Sequence, residues 1–228
     1  MAQSDRRSSA EGHILIGGTG RAGTTLLVQY FTALGFDTGF NLQGALSRVD
    51  PISNAGLERP VKKTLGRDRG LPYVAKSPGY GRNLRRFLES GDLKVKHCII
   101  PVRDLRDAAE SRREATRTAI ASGKSPDEAQ RGGIVGRKKK NSAKAQEQLL
   151  AVQFHRFLST MVAYDVPVHF LKFPEFADGR QDLFTALGPL LEQHGVTREE
   201  SDAAFAQVVR PELIHDYSGP GLRSRQEA

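Results

Sequence analysis

Three short segments carry side chains that can grip an anion and stabilise charge on its oxygens. In Gly17-Gly18-Thr19-Gly20-Arg21-Ala22-Gly23-Thr24-Thr25 the glycines let backbone N–H groups converge, while Arg21, Thr24 and Thr25 add a cation and two hydroxyls. Lys76-Ser77-Pro78 sets a second cation beside a hydroxyl. Arg103 supplies a guanidinium that can take a phosphate through two parallel N–H bonds, and Ser111, eight residues on, adds a hydroxyl about two helical turns away. These residue types suit the binding of a phosphate or similar anionic group. They do not suit metal chemistry. The six His, at 13, 97, 155, 169, 194 and 215, have no ligand spacing such as H-x-x-x-H, and the single Cys98 excludes a cysteine cluster and an intramolecular disulfide.

The glycine segment fits more than one template. Gly18, Gly20 and Gly23 form a G-x-G-x-x-G fingerprint, and Asp37, 19 residues past Gly18, lies near where a dinucleotide fold keeps its ribose-binding acid. That fold needs a second buried strand leading to the acid, yet only Leu34-Gly35-Phe36 lies between the first helical pattern and Asp37. Gly18 and Gly23 also have the spacing of G-x-x-x-x-G-K-[ST], but Thr24 occupies the lysine position, so the cation that reaches the outer phosphates of a triphosphate is missing. A turn whose glycines serve geometry alone has the same composition.

The elements that must position these groups are legible as periodic runs. His13-Ile14-Leu15-Ile16 is a short apolar run that stops at Gly17-Gly18, as a buried parallel strand does on entering a glycine loop. Leu26, Leu27, Tyr30, Phe31 and Leu34 then recur at helical spacing up to Gly35. Residues 41–70 have little periodicity and include Pro51 and Pro60, which predicts mostly irregular structure. Tyr73-Val74-Ala75 predicts a brief strand ending at Lys76-Ser77-Pro78, and a short helix follows with Leu84, Phe87 and Leu88 inside. Residues 95–102 form the clearest strand, ending at Arg103, with a helix starting near Leu105. Residues 122–142, rich in glycine and basic groups, read as a mobile connection. A long helix with Leu150, Phe154, Phe157, Leu158 and Met161 on one stripe comes next, then a strand over 168–173 and two helical patterns, one through Leu183, Leu187 and Leu191 and one through Phe205, Val208 and Val209. Strands alternating with helices predict a three-layer α/β/α fold with a central parallel sheet. Ligands bind beyond the carboxyl ends of such strands, where all three anion-gripping segments lie. The predicted organisation is a tail over 1–12, one α/β domain over 13–217 and a second tail over 218–228.

Arg21-Ala22-Gly23-Thr24-Thr25 resembles the [KR]-x-G-T-T loop of the sulfotransferases that use 3′-phosphoadenosine 5′-phosphosulfate (PAPS). Arg103 and Ser111, in Val102-Arg103-Asp104-Leu105-Arg106-Asp107-Ala108-Ala109-Glu110-Ser111, resemble the second signature of that family, R-[DN]-P-x-D-x-x-x-S, with Leu105 in place of the common Pro. The resemblance covers most of residues 13–111. It implies a P-loop NTPase-like sulfotransferase fold and in-line transfer of the sulfuryl group of PAPS to an acceptor hydroxyl or amine, leaving 3′-phosphoadenosine 5′-phosphate. It also implies that Gly18, Thr19, Gly20, Arg21, Ala22, Gly23, Thr24 and Thr25 cradle the 5′-phosphosulfate, with Arg21 at the oxygen bridging phosphorus and sulfur, and that Arg103 and Ser111 bind the 3′-phosphate. Lys76-Ser77-Pro78 resembles the K-[ST]-P strand-end motif of bacterial members, in which the Lys approaches the transferring group. Leu171-Lys172-Phe173-Pro174-Glu175-Phe176 stands where the family has Y-E-D-L, which implies that Phe173 faces adenine. Arg131-Gly132-Gly133-Ile134-Val135-Gly136 is similar to the R-K-G-x-x-G loop that wraps the 3′-phosphate, which implies a contact from Arg131 and Gly132, although here the loop precedes the Y-E-D-L-like segment. Pro78 replaces the His base that many members carry two residues past the Lys, so the carboxylates of Asp50 and Glu58 are the candidate general bases. The resemblance implies no metal.

The chain has 228 residues, is about 46% apolar when glycine is counted and tyrosine is not, and carries a net charge of +8, which fits one globular α/β unit with an anionic ligand. From Arg112 to Lys144 there are ten Lys and Arg against three acids, so nearly the whole excess lies in one segment and the flanks balance. That distribution opposes a uniformly basic nucleic-acid surface and leaves three uses for the segment: a lid over PAPS, a site for an anionic small-molecule or carbohydrate acceptor, or a solvated loop. Two rival functions remain. A small-molecule kinase is opposed by Thr24 and by Arg103 where a metal-binding Asp belongs. A non-catalytic nucleic-acid binder has Arg137-Lys138-Lys139-Lys140 in its favour and the absence of Trp against it. Residues 1–12 lack the apolar stretch of a signal peptide and no run approaches 18 apolar residues, so the expected location is cytoplasmic.

Overall fold

The computed structural model describes residues 12–59, 71–77, 80–125, 132–136 and 141–214. In chain order the elements are β1 (His13–Ile16), α1 (Thr24–Ala33), α2 (Leu42–Ser47), β2 (Val74–Lys76), α3 (Tyr80–Glu89), β3 (Val95–Val102), α4 (Leu105–Ala121), α5 (Ala143–Ala163), β4 (Val168–Lys172), α6 (Leu183–Ala186), α7 (Gly188–Gln193), α8 (Arg198–Val208) and a 3₁₀ turn at Pro211–Leu213. The four strands form one parallel sheet in the order β2-β1-β3-β4. All four residues of β1 are buried, as a central parallel strand covered on both faces requires.

Side-chain alternation divides the core into two layers. Ile14, Ile16 and Ile99 pack with Leu27 and Phe31 of α1, Leu183 of α6, Leu190 of α7 and Val208 of α8. Leu15, Cys98 and Ile100 point the other way, onto Leu84 and Phe87 of α3 and Phe157 and Met161 of α5. Ala108 and Ala109 bring α4 close to Leu150 of α5. The α/β sandwich expected from the sequence is therefore present, with helices on both faces of an all-parallel sheet.

This topology also locates the crevice. The chain leaves β1 for β2 through α1 and α2 on one face and returns from β2 to β3 through α3 on the other. Connections that diverge on either side of β1 open a gap at its carboxyl end. The register places Ile16, the last residue of β1, opposite Lys76 of β2 and Ile99 of β3, so Lys76 flanks that gap directly. From behind, α1 is fixed to α8 by a buried 2.6 Å hydrogen bond between the Tyr30 hydroxyl and Ser201 Oγ, and burial pushes the phenol up to about 12.

One expectation needs correction, and the rejection of the dinucleotide template is borne out. Residues 42–47, read as irregular, form the short helix α2, whose N-cap Asn41 accepts a 2.7 Å hydrogen bond from the Gly44 N–H. Its only buried residue is Ala45, too little to create a periodic signal. Asp37, the acid of the dinucleotide template, ends no strand: its carboxylate accepts from the N–H groups of Gly39 and Tyr73 and braces the connection into β2. The Arg131, Pro78 and Arg137-Lys138-Lys139-Lys140 positions lie outside the described residues, as do both predicted tails apart from Gly12. Among the described residues, no helix is long and apolar enough to cross a membrane.

Candidate functional site

The glycine loop occupies residues 17–23, between the end of β1 and the first turn of α1, whose leading N–H groups have no partner within the helix. Gly23 is its N-cap, in the left-handed region at φ 76°, and a Cβ there would stand 2.6 Å from Phe176 Cζ. Gly23→Ala therefore combines backbone strain with a clash, and an expected loss of about 1–3 kcal/mol, read as a lower urea midpoint, checks this packing. Arg21 enters the same region at φ 59° without being glycine. Such a conformation persists only where its surroundings over-determine it. Here Arg21 Nε donates to Ser111 Oγ at 3.0 Å, Nη1 donates to the Ser53 carbonyl, and the Arg21 carbonyl accepts from Arg103 Nη1 at 2.9 Å. The glycine loop and the Arg103–Ser111 motif thus brace each other directly.

On the opposite side of the gap, Lys76 is 5% exposed at the end of β2. Its Nζ donates to Thr25 Oγ1 at 2.9 Å and to the Gly56 carbonyl at 2.5 Å, and lies 3.2 Å from Glu58 Oε1. The loop has no lysine of its own, but β2 delivers one to its second threonine. Burial pushes the ammonium below the usual lysine range, the Glu58 carboxylate opposes that shift and the Arg21 charge adds to it. Glu58 lines the cavity beside Lys76; Asp50 does not. Asp50 Oδ1 accepts from the N–H groups of Ile52 and Ser53, both at 2.9 Å, and Oδ2 pairs with Lys124 Nζ at 2.6 Å. Burial acts to raise this carboxyl, yet the Lys124 bond and the two backbone donors outweigh it and hold it at about 2. So weak a base, already saturated with donors, is suited to shaping the turn that presents the Ser53 carbonyl to Arg21.

The far wall comes from β3, α4 and residues 132–136. Arg103 is 7% exposed, and its guanidinium carbon lies 5.0 Å from the centre of the Phe173 ring, which also lines the cavity. Asp104, beside it, caps α4 by accepting from the Asp107 N–H. Ser111 is buried behind Arg21 and is not part of the cavity wall. Residues 132–136 are anchored, unlike the mobile connection read from their composition. The Gly133 carbonyl accepts from Arg112 Nη1 at 2.7 Å, the Ile134 N–H donates to Thr116 Oγ1 at 2.9 Å, and Val135 exchanges two hydrogen bonds with the Gln146 side chain. Gly132 presses so closely on the 53–55 turn that a Cβ would meet Ala55 Cβ at 2.8 Å.

Together these walls line a cavity of about 660 Å³, within the range of small-molecule and cofactor sites. Among the described residues five cationic side chains line it, Arg21, Lys76, Arg103, Arg112 and Arg210, against the two carboxylates Glu58 and Glu212. Among the described residues no group of three or more His, Cys, Asp or Glu is placed to hold a metal ion. Of the residues singled out in the sequence, Gly18, Thr19, Gly20, Arg21, Gly23, Thr24, Thr25, Glu58, Lys76, Arg103, Phe173 and Gly132 meet at this one cavity, whereas Ala22, Asp50 and Ser111 stand behind its wall. Arg112 was missed. It follows Ser111 directly and counted only as the first residue of the basic excess; its place on the buried face of α4 was the available signal.

Fold and site define an α/β protein that gathers cations and a glycine loop at the carboxyl ends of parallel strands, around a space suited to a polyanion. No protein-family model matches the chain, and no curated protein matches it. Among solved structures it is similar to the sulfotransferase domain from the curacin biosynthetic pathway, at 17% identity over 95% of this chain and 83% of that one, with a TM-score of 0.49. It is also similar to the sulfotransferase domain from the Synechococcus PCC 7002 olefin synthase, at 14% identity over 100% of this chain and 92% of that one, with a TM-score of 0.44.

Proposed function

We propose that this protein is a sulfotransferase that takes the sulfuryl group of PAPS and passes it to a small-molecule acceptor. One observation carries the reading: Arg21 and Thr25 of the glycine loop, Lys76 of β2 and Arg103 of β3 line a single cavity, with Lys76 Nζ 2.9 Å from Thr25 Oγ1. A donor with phosphates at both ends needs two cationic stations. The loop with α1's first turn serves as one and Arg103 as the other, with Phe173 beside it as an apolar plate for the base. The residues fit such a donor: the wall is rich in cations, and Arg112 Nε is buried without a partner.

In the transfer step the acceptor oxygen forms a bond to sulfur as the bond from sulfur to the bridging oxygen breaks. The electron pair stays on the departing bisphosphate, and the acceptor proton must go to a base. Arg21 and Lys76 stabilise the charge that develops on the bridging oxygen, and Thr24 and Thr25 orient the phosphate. Glu58, exposed to the cavity beside Lys76, takes the proton; its ion pair with Lys76 holds the carboxylate at the transferring end. Leu46, Val49 and Pro51 line the cavity together with Asn54 and Glu58, which suits an acceptor with an apolar part.

The test is ligand-induced thermal stabilisation. At 100 times its dissociation constant a ligand adds about 2.7 kcal/mol. 3′-Phosphoadenosine 5′-phosphate is expected to raise the melting temperature by several degrees and ATP with Mg²⁺ much less. An equal or larger response to ATP with Mg²⁺ would favour a kinase, and no response to the bisphosphate would remove the donor assignment.

A further inference from the structure

A buried charge lies beneath the glycine loop. Arg112, on α4, is 7% exposed and reaches the cavity wall. Among the described residues its hydrogen-bond partners are neutral: Nη1 donates to the Gly133 carbonyl at 2.7 Å, Nη2 donates to the Thr19 carbonyl at 2.6 Å, and Nε is buried with none. Burial, and after it the charge of Arg21, pushes the guanidinium down to about 10, so it is still a cation at neutral pH. A buried ion without a counter-charge is costly, and one that faces a second cation is more so.

The two carbonyls held by Arg112 belong to different walls. Thr19 is in the glycine loop, and Gly133 is in the strap of residues 132–136. The loop is fitted to this contact, because a Cβ on Gly20 would stand 2.5 Å from Arg112 Nη2. Beyond Gly133 the strap is tied down by the Ile134 N–H on Thr116 and the Val135 N–H on Gln146. One guanidinium therefore joins both walls of the cavity, and the charge that would balance it is the charge a bound anion brings.

We propose that Arg112 is a positioning residue that couples anion occupancy of the cavity to closure of the 132–136 strap over the glycine loop. The proposal rests on the donor-site reading for the identity of the anion, while the coupling itself rests on Arg112 and its partners. Without an anion, repulsion between Arg112 and Arg21 opposes the clamped arrangement. A bound anion relieves that repulsion and tightens loop and strap together.

The experiment uses the full chain and two anions, 3′-phosphoadenosine 5′-phosphate and inorganic pyrophosphate. In the unmodified protein, hydrogen exchange at the Ile134 and Val135 amides is expected to slow by about tenfold or more on saturation. Arg112→Met, which keeps length and removes charge, is expected to melt at or above the parent temperature without ligand and to bind the bisphosphate about 10- to 100-fold more weakly, with Arg112→Lys recovering part of the loss. A merely structural arginine predicts the reverse: a lower melting temperature with unchanged affinity. That result overturns the proposal, as does identical exchange at both amides with and without bound bisphosphate, a measurement that needs no variant to fold. Slowing by pyrophosphate without any binding of the bisphosphate sustains the coupling and removes the donor reading. Binding of the bisphosphate with no slowing does the opposite, and no response to either anion removes both.

Discussion

Replacing Lys76 by Met lowers kcat by about two to three orders of magnitude, with a much smaller change in the KM for PAPS. The asymmetry follows from when the charge appears. In the bound donor the bridging oxygen carries little negative charge, whereas in the transition state it takes up much of the leaving group's charge, so a cation held there stabilises the second state more than the first. Lys76 is placed to do this, because it is 5% exposed, at the end of β2, with Nζ fixed by Thr25, Gly56 and Glu58. Methionine fills the space of the stem, so the variant removes charge without opening a cavity, and an unchanged melting temperature verifies this. The pH dependence gives a second reading. Because burial depresses the ammonium's pKa, the active protonated form is lost as pH rises through a value below that of free lysine, and kcat falls on that limb. In Lys76→Arg, whose guanidinium keeps its proton, the alkaline fall disappears even if the maximum rate is reduced. A raised KM at constant kcat would instead make Lys76 a residue of uniform binding.

Replacing Arg103 by Ala raises the dissociation constant for 3′-phosphoadenosine 5′-phosphate by about 10- to 100-fold, and that for adenosine 5′-monophosphate far less. The comparison is needed because Arg103 does two things. It presents a guanidinium at the end of β3, 5.0 Å from the Phe173 ring, and it donates to the Arg21 carbonyl at 2.9 Å. Loss of the first function removes a 3′-phosphate partner; loss of the second loosens the loop and affects every nucleotide alike. The difference between the two ligands, measured by calorimetry, isolates the first. Equal losses would assign Arg103 to loop support alone. Lysine is not expected to rescue the bisphosphate, since a single ammonium reproduces neither a paired phosphate contact nor the guanidinium's contact over the Phe173 ring.

How much of this was legible in the chain depended on how local the determining interactions are. The strands were readable because each is a short apolar run between turn residues, and the structure places β1 and β3 over the expected residues and shifts the bounds of β2 and β4 by only one residue. The loop, Lys76 and Arg103 were visible because strand ends in parallel sheets converge. What was not visible depends on partners remote in sequence. Residues 132–136 look loose from their glycines, yet Arg112, Thr116 and Gln146 reach them from two helices. Asp50 has the composition of a base; beside its local bonds from Ile52 and Ser53, it is the ion pair with the remote Lys124 that completes a turn anchor. Ser111 carried the right residue type at the right spacing, but the fold directs its hydroxyl to Arg21.

The bracing of the glycine loop also governs when the loop can take its shape. Arg21 is held by Ser111 and Arg103, which lie 90 and 82 residues further along, and Thr19 by Arg112, 93 residues further along. A ribosome releases the loop well before these supports, so until β3 and α4 have emerged the left-handed turn at Arg21 lacks its bonds to Ser111 and Arg103 and keeps the one to the Ser53 carbonyl. The loop is therefore not a transplantable cassette: grafted with β1 and α1 alone it carries the signature but not the bonds from Arg103, Ser111 and Arg112. The loop reaches its braced form only when two distant stretches of sequence close on each other.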